Sequence, residues 1–216
     1  MWKIIQMKQV LLSTAYLPNI QYFRAIYQNE NIVIEQFESF PKQSFRNRTQ
    51  ILTDSGLMNL SVPVVKVNSK QLAKDIKIAY KENWQAKHWH AIVSAYNSSP
   101  FFEYYKDDFH RFFKDKFEYL LDYNQQIMEL IFSILGIKKN ISFSTDYLHE
   151  KNIDNNKIQD LRNAIHPKLS QEQGVNYYDS KTYPQVFDSR MEFVPNLSII
   201  DMIFNIGEDT INYLKN

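Results

Sequence analysis

The chain has 216 residues, no cysteine, and 25 basic against 24 acidic residues. The lack of cysteine excludes disulfides, thiol nucleophiles and thiolate metal sites, and a net charge of +1 argues against a nucleic-acid-binding protein. No stretch approaches the roughly 18 apolar residues of a membrane span, and the N-terminus lacks the pattern of a signal peptide. We therefore expect one soluble, cytoplasmic domain over residues 1–216.

The N-terminal part, residues 8–80, has the pattern of a sheet. Apolar runs predict strands at 8–16 and 31–36, and an apolar stripe in residues 22–27 predicts a short helix between them. A strand, a helix and a strand in this order are typical of a right-handed parallel crossover. We therefore expect the two strands to lie side by side and parallel in one sheet.

Three further strands are predicted in the same part of the chain. Residues 45–52 and 57–65 flank the turn-forming residues 53–56 and predict a hairpin. Residues 75–80 alternate between apolar and polar side chains, which also indicates a strand. Together with the parallel pair, these strands predict a mixed N-terminal sheet.

The pattern becomes helical after the sheet. Residues 84–136 predict several helices, residues 137–192 are mostly polar and irregular apart from a short strand at 141–145, and residues 196–215 predict C-terminal helices. The predicted fold class is therefore α/β, with an N-terminal mixed sheet that contains a parallel strand–helix–strand unit and a hairpin, followed by a mainly helical half.

The stretch FPKQSFRNRTQI, residues 40–51, carries three cations. On a strand, Lys42, Arg46 and Arg48 would share one face, with the two arginines about 7 Å apart. That spacing suits two cations that bind one phosphate or carboxylate. Asn47, on the other face, could fix a loop near such a site. The alternative is an exposed edge strand whose cations prevent edge-to-edge pairing.

The pair in KHWH does not predict a metal site. On a helix, His88 and His90 point about 200° apart around the axis and cannot bind one ion. His88 lies at the edge of the apolar arc and is the candidate general base, beside Tyr96 or Glu103, with His90 in solvent. The alternative is a hydrogen-bonded histidine at the boundary of the core.

Five blocks of the sequence are distinctive: STAYLPNIQYF (13–23), KQSFRNR (42–48), LSVPV (60–64), WQAKHWHAIVSAYNSSPFFEYY (84–105) and FVPNLSIIDMIFNIG (193–207). In order and approximate spacing they resemble the WbqC-like protein family over nearly the whole chain, and least between about residues 136 and 182. The resemblance implies a bacterial protein of surface-polysaccharide (O-antigen) biosynthesis whose activity is poorly defined. A transferase that moves an acyl, aminoacyl or glycosyl group onto or from a nucleotide-linked or lipid-linked sugar is the implied function.

The chain departs from the family pattern at one place. Many members carry a His-Gln-Pro-Asn run just before the segment that matches Tyr16 to Pro18, and here Leu12, Ser13, Thr14 and Ala15 stand there instead. A family histidine at this place is therefore missing. The loop 14–18 still follows a predicted strand at the edge where open α/β sheets bind ligands, and the helix that starts near Asn19 could meet an anion.

Two classes of function follow from these observations. In the first, the protein is a transferase whose arginines hold an anionic substrate, a sugar phosphate or nucleotide sugar, while His88 takes a proton from the acceptor. In the second, it is a non-catalytic binding or scaffold protein of the same pathway. We expect no cofactor and no metal, and the oligomeric state stays open. The predicted site residues are Tyr16, Lys42, Arg46, Asn47, Arg48, His88 and Tyr96.

Overall fold

The computed structural model describes residues 9–41, 43–68, 70–155, 157–165 and 181–215. Within these residues, the main sheet consists of β1 (Gln9–Ser13), β2 (Asn31–Glu35), β5 (Asn140–Phe143) and β6 (Ile158–Asp160). The four strands are parallel and lie in the order β5-β2-β1-β6. The predicted parallel pairing of the first two strands is confirmed, with Leu11 opposite Val33.

Helix α1 (Ile20–Gln28) connects β1 to β2. Its N-cap is Asn19, whose side-chain oxygen accepts a hydrogen bond from the Tyr22 backbone N–H at 3.0 Å. Such a cap stabilises a helix by about 1 kcal/mol. In β1, residues 10–12 are all fully buried, which is typical of a parallel strand covered on both faces. The carboxyl end of β1 is thereby held rigidly in the middle of the sheet.

The hairpin consists of β3 (Arg48–Thr53) and β4 (Gly56–Ser61), which pair antiparallel. Gly56 closes the turn with φ of 102°, a conformation that favours glycine. The hairpin forms a two-stranded sheet of its own. The α/β class is therefore confirmed, but the main sheet is purely parallel rather than mixed.

Two further elements differ from the sequence-based expectations. Residues 75–80 form no regular strand: a short 3₁₀ turn at Ala73–Asp75 precedes isolated bridges at Lys77 and Ile78. Conversely, β6 lies in the stretch 137–192, which was predicted to be irregular. The prediction missed this strand because three residues are too few to show a period of two. The strand predicted at 141–145 is present as β5.

The second half of the chain is mainly helical, as predicted. Its core is rich in aromatic rings, and the Phe204 ring lies 5.3 Å from Tyr96, 5.1 Å from Phe102 and 5.4 Å from Phe109. Edge-to-face contacts of this kind add about 0.5–1.5 kcal/mol each to the effect of burial. The helices are α2 (Trp84–Tyr96), α3 (Phe102–His110), α4 (Leu120–Ile134), α5 (Ile199–Ile206) and α6 (Thr210–Leu214).

Candidate ligand site at the carboxyl edge of the sheet

A cleft lies at the carboxyl edge of the main sheet, where β1 and β6 end side by side. In the sheet, β2 lies on one side of β1 and β6 lies on the other, so the direction in which strands are added reverses at β1. Crevices at such reversals are the usual ligand sites of open α/β sheets. The residues that line this carboxyl-edge cleft are Ser13, Thr14, Ala15, Asn19, Tyr22, Phe45, Arg46, Leu161, Arg162 and Ile165.

One wall of the cleft is built on a buried ion pair between Arg46 and Glu38, which are 4% and 6% exposed. The guanidinium donates through Nε to one carboxylate oxygen at 2.7 Å and through Nη2 to the other at 2.5 Å. Nη2 also donates to the Ser13 hydroxyl at 2.7 Å. This bidentate geometry fixes both side chains against the end of β1.

The opposite wall carries a second guanidinium. Arg162 donates through Nε and Nη2 to the two carboxylate oxygens of Asp160, at 3.0 and 2.6 Å, and through Nη1 to Glu35 at 3.3 Å. Burial alone would lower the pKa of Arg162, but the hydrogen bonds and charge of Asp160 outweigh it and raise that pKa. Arg162 therefore stays charged and is held in place by two acids.

The charges around the carboxyl-edge cleft nearly balance. The two guanidinium groups of Arg46 and Arg162 face the three carboxylates of Glu35, Glu38 and Asp160. An anion is therefore not attracted by a simple excess of positive charge. Binding of an anion here has to rest on individual donor groups that are not already used within the protein.

Two such donors line the cleft. The amide Nδ2 of Asn19 is buried and has no hydrogen-bond partner among the described residues, although Oδ1 of the same side chain caps α1. Nη1 of Arg46 makes no hydrogen bond within the described part of the chain, but unlike the Asn19 amide it is not fully buried. A buried donor without a partner costs about 1–3 kcal/mol, which a ligand oxygen would recover. The N-terminus of α1 adds its partial positive charge at the same place.

The open space in the carboxyl-edge cleft is close to what one water molecule needs. A sugar-sized ligand therefore has to widen the cleft or enter only in part. Side chains at a binding site commonly change rotamer when a partner binds, and such changes would widen the cleft.

The predicted row of cations on one strand face is not present. The strand starts only at Arg48, and residues 43–47 form turns, with Gln43 at φ of 59°. Arg46 is buried in the cleft wall, whereas Arg48 is partly exposed and donates to the Ser61 hydroxyl at 3.2 Å. Lys42 lies outside the described residues. The prediction of one shared face was wrong because residues 43–47 are not extended, and side chains alternate between two faces only on an extended strand.

Asn47 connects two backbone segments. The side-chain amide of Asn47 donates to the Val62 carbonyl at 2.9 Å, and the backbone carbonyl of Asn47 accepts from the Val62 N–H at 2.8 Å. These two hydrogen bonds hold residues 47 and 62 together. Asn47 is not among the residues that line the carboxyl-edge cleft.

His88 is buried, and its Nδ1 lies 2.9 Å from the Tyr16 hydroxyl. Burial lowers the pKa of His88 to about 4, although a hydrogen bond to the Ser61 backbone carbonyl acts in the opposite direction. The imidazole is therefore neutral near pH 7, with its Nδ1 hydrogen-bonded to the Tyr16 hydroxyl. Neither His88 nor Tyr16 lines the carboxyl-edge cleft, and His90 is exposed as expected.

Tyr96 belongs to a different cluster, in the helical half. Its ring packs on Phe204, and burial together with the nearby Asp201 carboxyl group raises the pKa of Tyr96 well above its usual value. Asp201 is itself buried and accepts a hydrogen bond from Tyr183 at 2.7 Å. Of the predicted site residues that the structure describes, Arg46 is the one that lines the carboxyl-edge cleft.

Sequence reasoning missed Arg162. Arg162 follows a strand of three residues, which has no usable periodicity, and its partner Glu35 is 127 positions away. Glu38 is eight positions from Arg46, but only the turns between them bring the two side chains together. The loop after β1, residues 14–18, was expected to meet a ligand, and Thr14 and Ala15 of that loop line the cleft together with Ser13 of the strand.

The fold and the cleft define an open-sheet α/β protein with a candidate ligand site at the carboxyl edge of its parallel strands. The profile of the WbqC-like protein family matches residues 14–213, and the chain therefore belongs to the WbqC-like family. In the described part of the chain, no helix combines the length and apolarity that crossing a membrane requires. No group of three or more histidine or acidic side chains suited to a metal is found among those residues either.

The chain is similar to the uncharacterized protein Rv1507c of Mycobacterium tuberculosis. The two are 25% identical over 230 aligned residues, which cover 96% of this chain and 97% of that protein. No solved structure matches the chain.

Proposed function

We propose that this WbqC-like protein binds an anionic sugar, a sugar phosphate or nucleotide sugar, at the carboxyl-edge cleft and serves surface-polysaccharide (O-antigen) biosynthesis. The observation that carries the binding site is the unpartnered, buried Nδ2 of Asn19 at the N-terminus of α1. With Nη1 of Arg46 it supplies two donors for phosphate or carboxylate oxygens, next to the positive end of a helix. The pathway is what the family membership suggests.

The chemistry of the walls suits a sugar better than a bare anion. The hydroxyls of Ser13 and Thr14 line the cleft and can exchange hydrogen bonds with sugar hydroxyls, while the carboxylates of Glu38 and Asp160 are paired with the arginines of the wall. A plain inorganic anion would meet these acids at an electrostatic cost. A ligand that combines a phosphate with hydroxyl groups satisfies both kinds of wall.

Transfer of a group is the second candidate function, and one pair of residues favours it. Tyr16 directly follows the cleft residue Ala15, and its hydroxyl contacts the neutral His88. A neutral imidazole can take up a proton that passes through the tyrosine. Nδ1 of His88 is already bonded to Tyr16 and the ring does not line the cleft, however, so ligand binding without catalysis is the function that the geometry supports better.

Binding is tested by thermal shift and calorimetry with sugar phosphates and nucleotide sugars on the wild type and on Asn19→Ser. Serine caps a helix about as well as asparagine, so the unliganded protein should melt at nearly the same temperature. The lost Nδ2 donor should weaken binding about tenfold or more, since a hydrogen bond to a charged group contributes about 1.5–3 kcal/mol. Asn59→Ser, an exposed change on β4, is the matched control.

Two outcomes would contradict the proposal. If no sugar phosphate or nucleotide sugar stabilises the wild type, the protein does not bind this class of ligand. If one binds and Asn19→Ser leaves its affinity unchanged, the site lies elsewhere on the protein.

A further inference from the structure

A second pocket lies on the surface of the helical half, between the start of α3 and the end of α5. Its volume is about 280 Å³, and it shares no residue with the carboxyl-edge cleft. We call it the aromatic–acidic pocket, because three aromatic rings and two carboxylates form most of its wall. The lining residues are Phe101, Tyr104, Tyr105, Ile206, Glu208 and Asp209.

The position of Phe101 in this pocket depends on Gly207. A Cβ atom at position 207 would lie 2.8 Å from two atoms of the Phe101 ring, closer than carbon atoms can approach. Gly207 also has φ of 57°, where side chains other than glycine are strained. The Phe101 N–H donates to the Phe204 carbonyl at 3.0 Å, so backbone and ring are both held. The aromatic wall is a built feature of the fold.

Two of the three rings of this pocket are unusually accessible. The side chain of Tyr104 is 77% exposed and that of Phe101 is 38% exposed. The Tyr104 ring meets the edge of Tyr105 at 4.7 Å, at 88° between the ring planes. Within the described residues, no lysine or arginine is placed over any of these three rings. The exposed parts of the Phe101 and Tyr104 rings are therefore open to a cation, whereas Tyr105 is buried.

The carboxylates of the pocket are also uncompensated. Glu208 and Asp209 form no ion pair with the described residues, and Asp209 accepts a hydrogen bond only from the neutral amide of Asn212 at 3.3 Å. The nearby Lys106 is paired with Glu103 instead. Burial raises the pKa of Tyr105, and the negative charge of Glu208 raises it further. The field in the pocket is therefore negative.

We propose that the aromatic–acidic pocket binds an organic ammonium ion carried by a small molecule. A cation gains from the faces of aromatic rings and from unpaired carboxylates at the same time. An anion would be repelled, and a purely apolar ligand would strip water from Glu208 and Asp209 without compensation. This site is independent of the proposed sugar site.

The test compares choline with 3,3-dimethylbutan-1-ol, a neutral molecule of almost the same shape, by NMR titration at constant ionic strength. Choline should bind at least about tenfold more tightly than the neutral isostere, and it should shift the resonances of residues 101–105 and 206–209. Equal binding of the two would make the pocket merely apolar and overturn the proposal. So would the absence of binding by choline.

Three variants make the assignment specific. Tyr104→Leu and the double change Glu208→Gln with Asp209→Asn should each weaken choline binding several-fold, because each removes one of the two attractions. The control is Tyr147→Leu, because Tyr147 is also exposed but already has the Arg162 guanidinium 5.2 Å from the centre of its ring. Asn19→Ser should leave choline binding unchanged, which separates this proposal from the sugar site. Choline binding that survives both pocket variants would place its site elsewhere and refute the proposal.

Discussion

Two buried polar clusters of this protein differ in the partners of their ionisable side chains. At the carboxyl edge, Arg46 and Arg162 form bidentate pairs with Glu38 and Asp160, so buried charges meet opposite charges. In the helical half, the described partners of Asp201 are neutral side chains. A buried ion pair keeps its charges by mutual attraction, whereas a buried group with neutral partners shifts its proton equilibrium.

The same contrast separates the roles of the two clusters. The ion pairs of the carboxyl edge form walls around a cleft in which the Asn19 amide is buried without a partner among the described residues. The neutral cluster closes the core around α5, where Asp201 accepts hydrogen bonds from Tyr183 and Gln185 at 2.7 and 3.4 Å. His88 belongs to the second type, since its hydrogen-bond partners are a tyrosine hydroxyl and a backbone carbonyl. Stability at the carboxyl edge should therefore respond most to loss of a charge, and stability in the helical half to pH.

The largest effect is expected at the carboxyl edge. Arg46→Gln leaves the buried Glu38 carboxylate without its partner and should lower the free energy of unfolding by about 3–5 kcal/mol. Urea unfolding at pH 7 measures this loss. The double variant Arg46→Gln with Glu38→Gln should regain most of it, because no buried charge is then left alone. A loss below about 1 kcal/mol in the single variant would show that the pair is not buried as described.

The next effect concerns His88. Its pKa is about 4 in the folded state against 6.5 unfolded, so the unfolded chain binds more protons between these values. This residue therefore contributes stability that is fully present above pH 6.5 and lost as the pH falls towards 4, by roughly 3 kcal/mol. His88→Asn, which keeps an acceptor near Nδ1 for Tyr16, should remove this part of the acid destabilisation. Unfolding curves between pH 4 and 7 measure it, and an unchanged pH profile would contradict the assignment.

Asp201 should act in the opposite direction over nearly the same pH range. Burial raises its pKa from 3.8 to about 6, so the folded protein binds the extra proton. The stability contribution of this group is therefore highest at low pH and falls as the pH rises from about 4 to 6, by roughly 3 kcal/mol. The loss of stability that Asp201→Asn causes should therefore be larger at pH 4 than at pH 7. A constant difference across this range would mean that Asp201 does not titrate there.

The smallest effect is expected for Tyr16→Phe. This change removes the donor to His88 Nδ1 but keeps the ring that stacks 5.8 Å from Tyr123. The orphaned acceptor should cost about 1–3 kcal/mol. The pKa of His88, followed by NMR of its ring protons, should change in the variant as well. Full stability together with an unchanged histidine titration would exclude the hydrogen bond.

The local pattern of the sequence was enough to predict the class of the fold. The apolar runs of β1 and β2 and the stripe of α1 are short-range features, and the handedness of the crossover then determines a parallel pair. The same logic predicted a ligand site at the loop 14–18, of which Thr14 and Ala15 line the cleft, and ligand binding there stays a prediction. These predictions needed only the periods of strands and helices.

The tertiary structure alone decided which side chains meet at that edge. Arg46 turned inward to Glu38 because residues 43–47 form turns, and no strand alternation applies to a turn. Arg162 reaches the same cleft from β6, which the chain enters more than a hundred residues after β2. Contacts between such distant residues depend on how the sheet is assembled, and a single sequence carries no local signal for them.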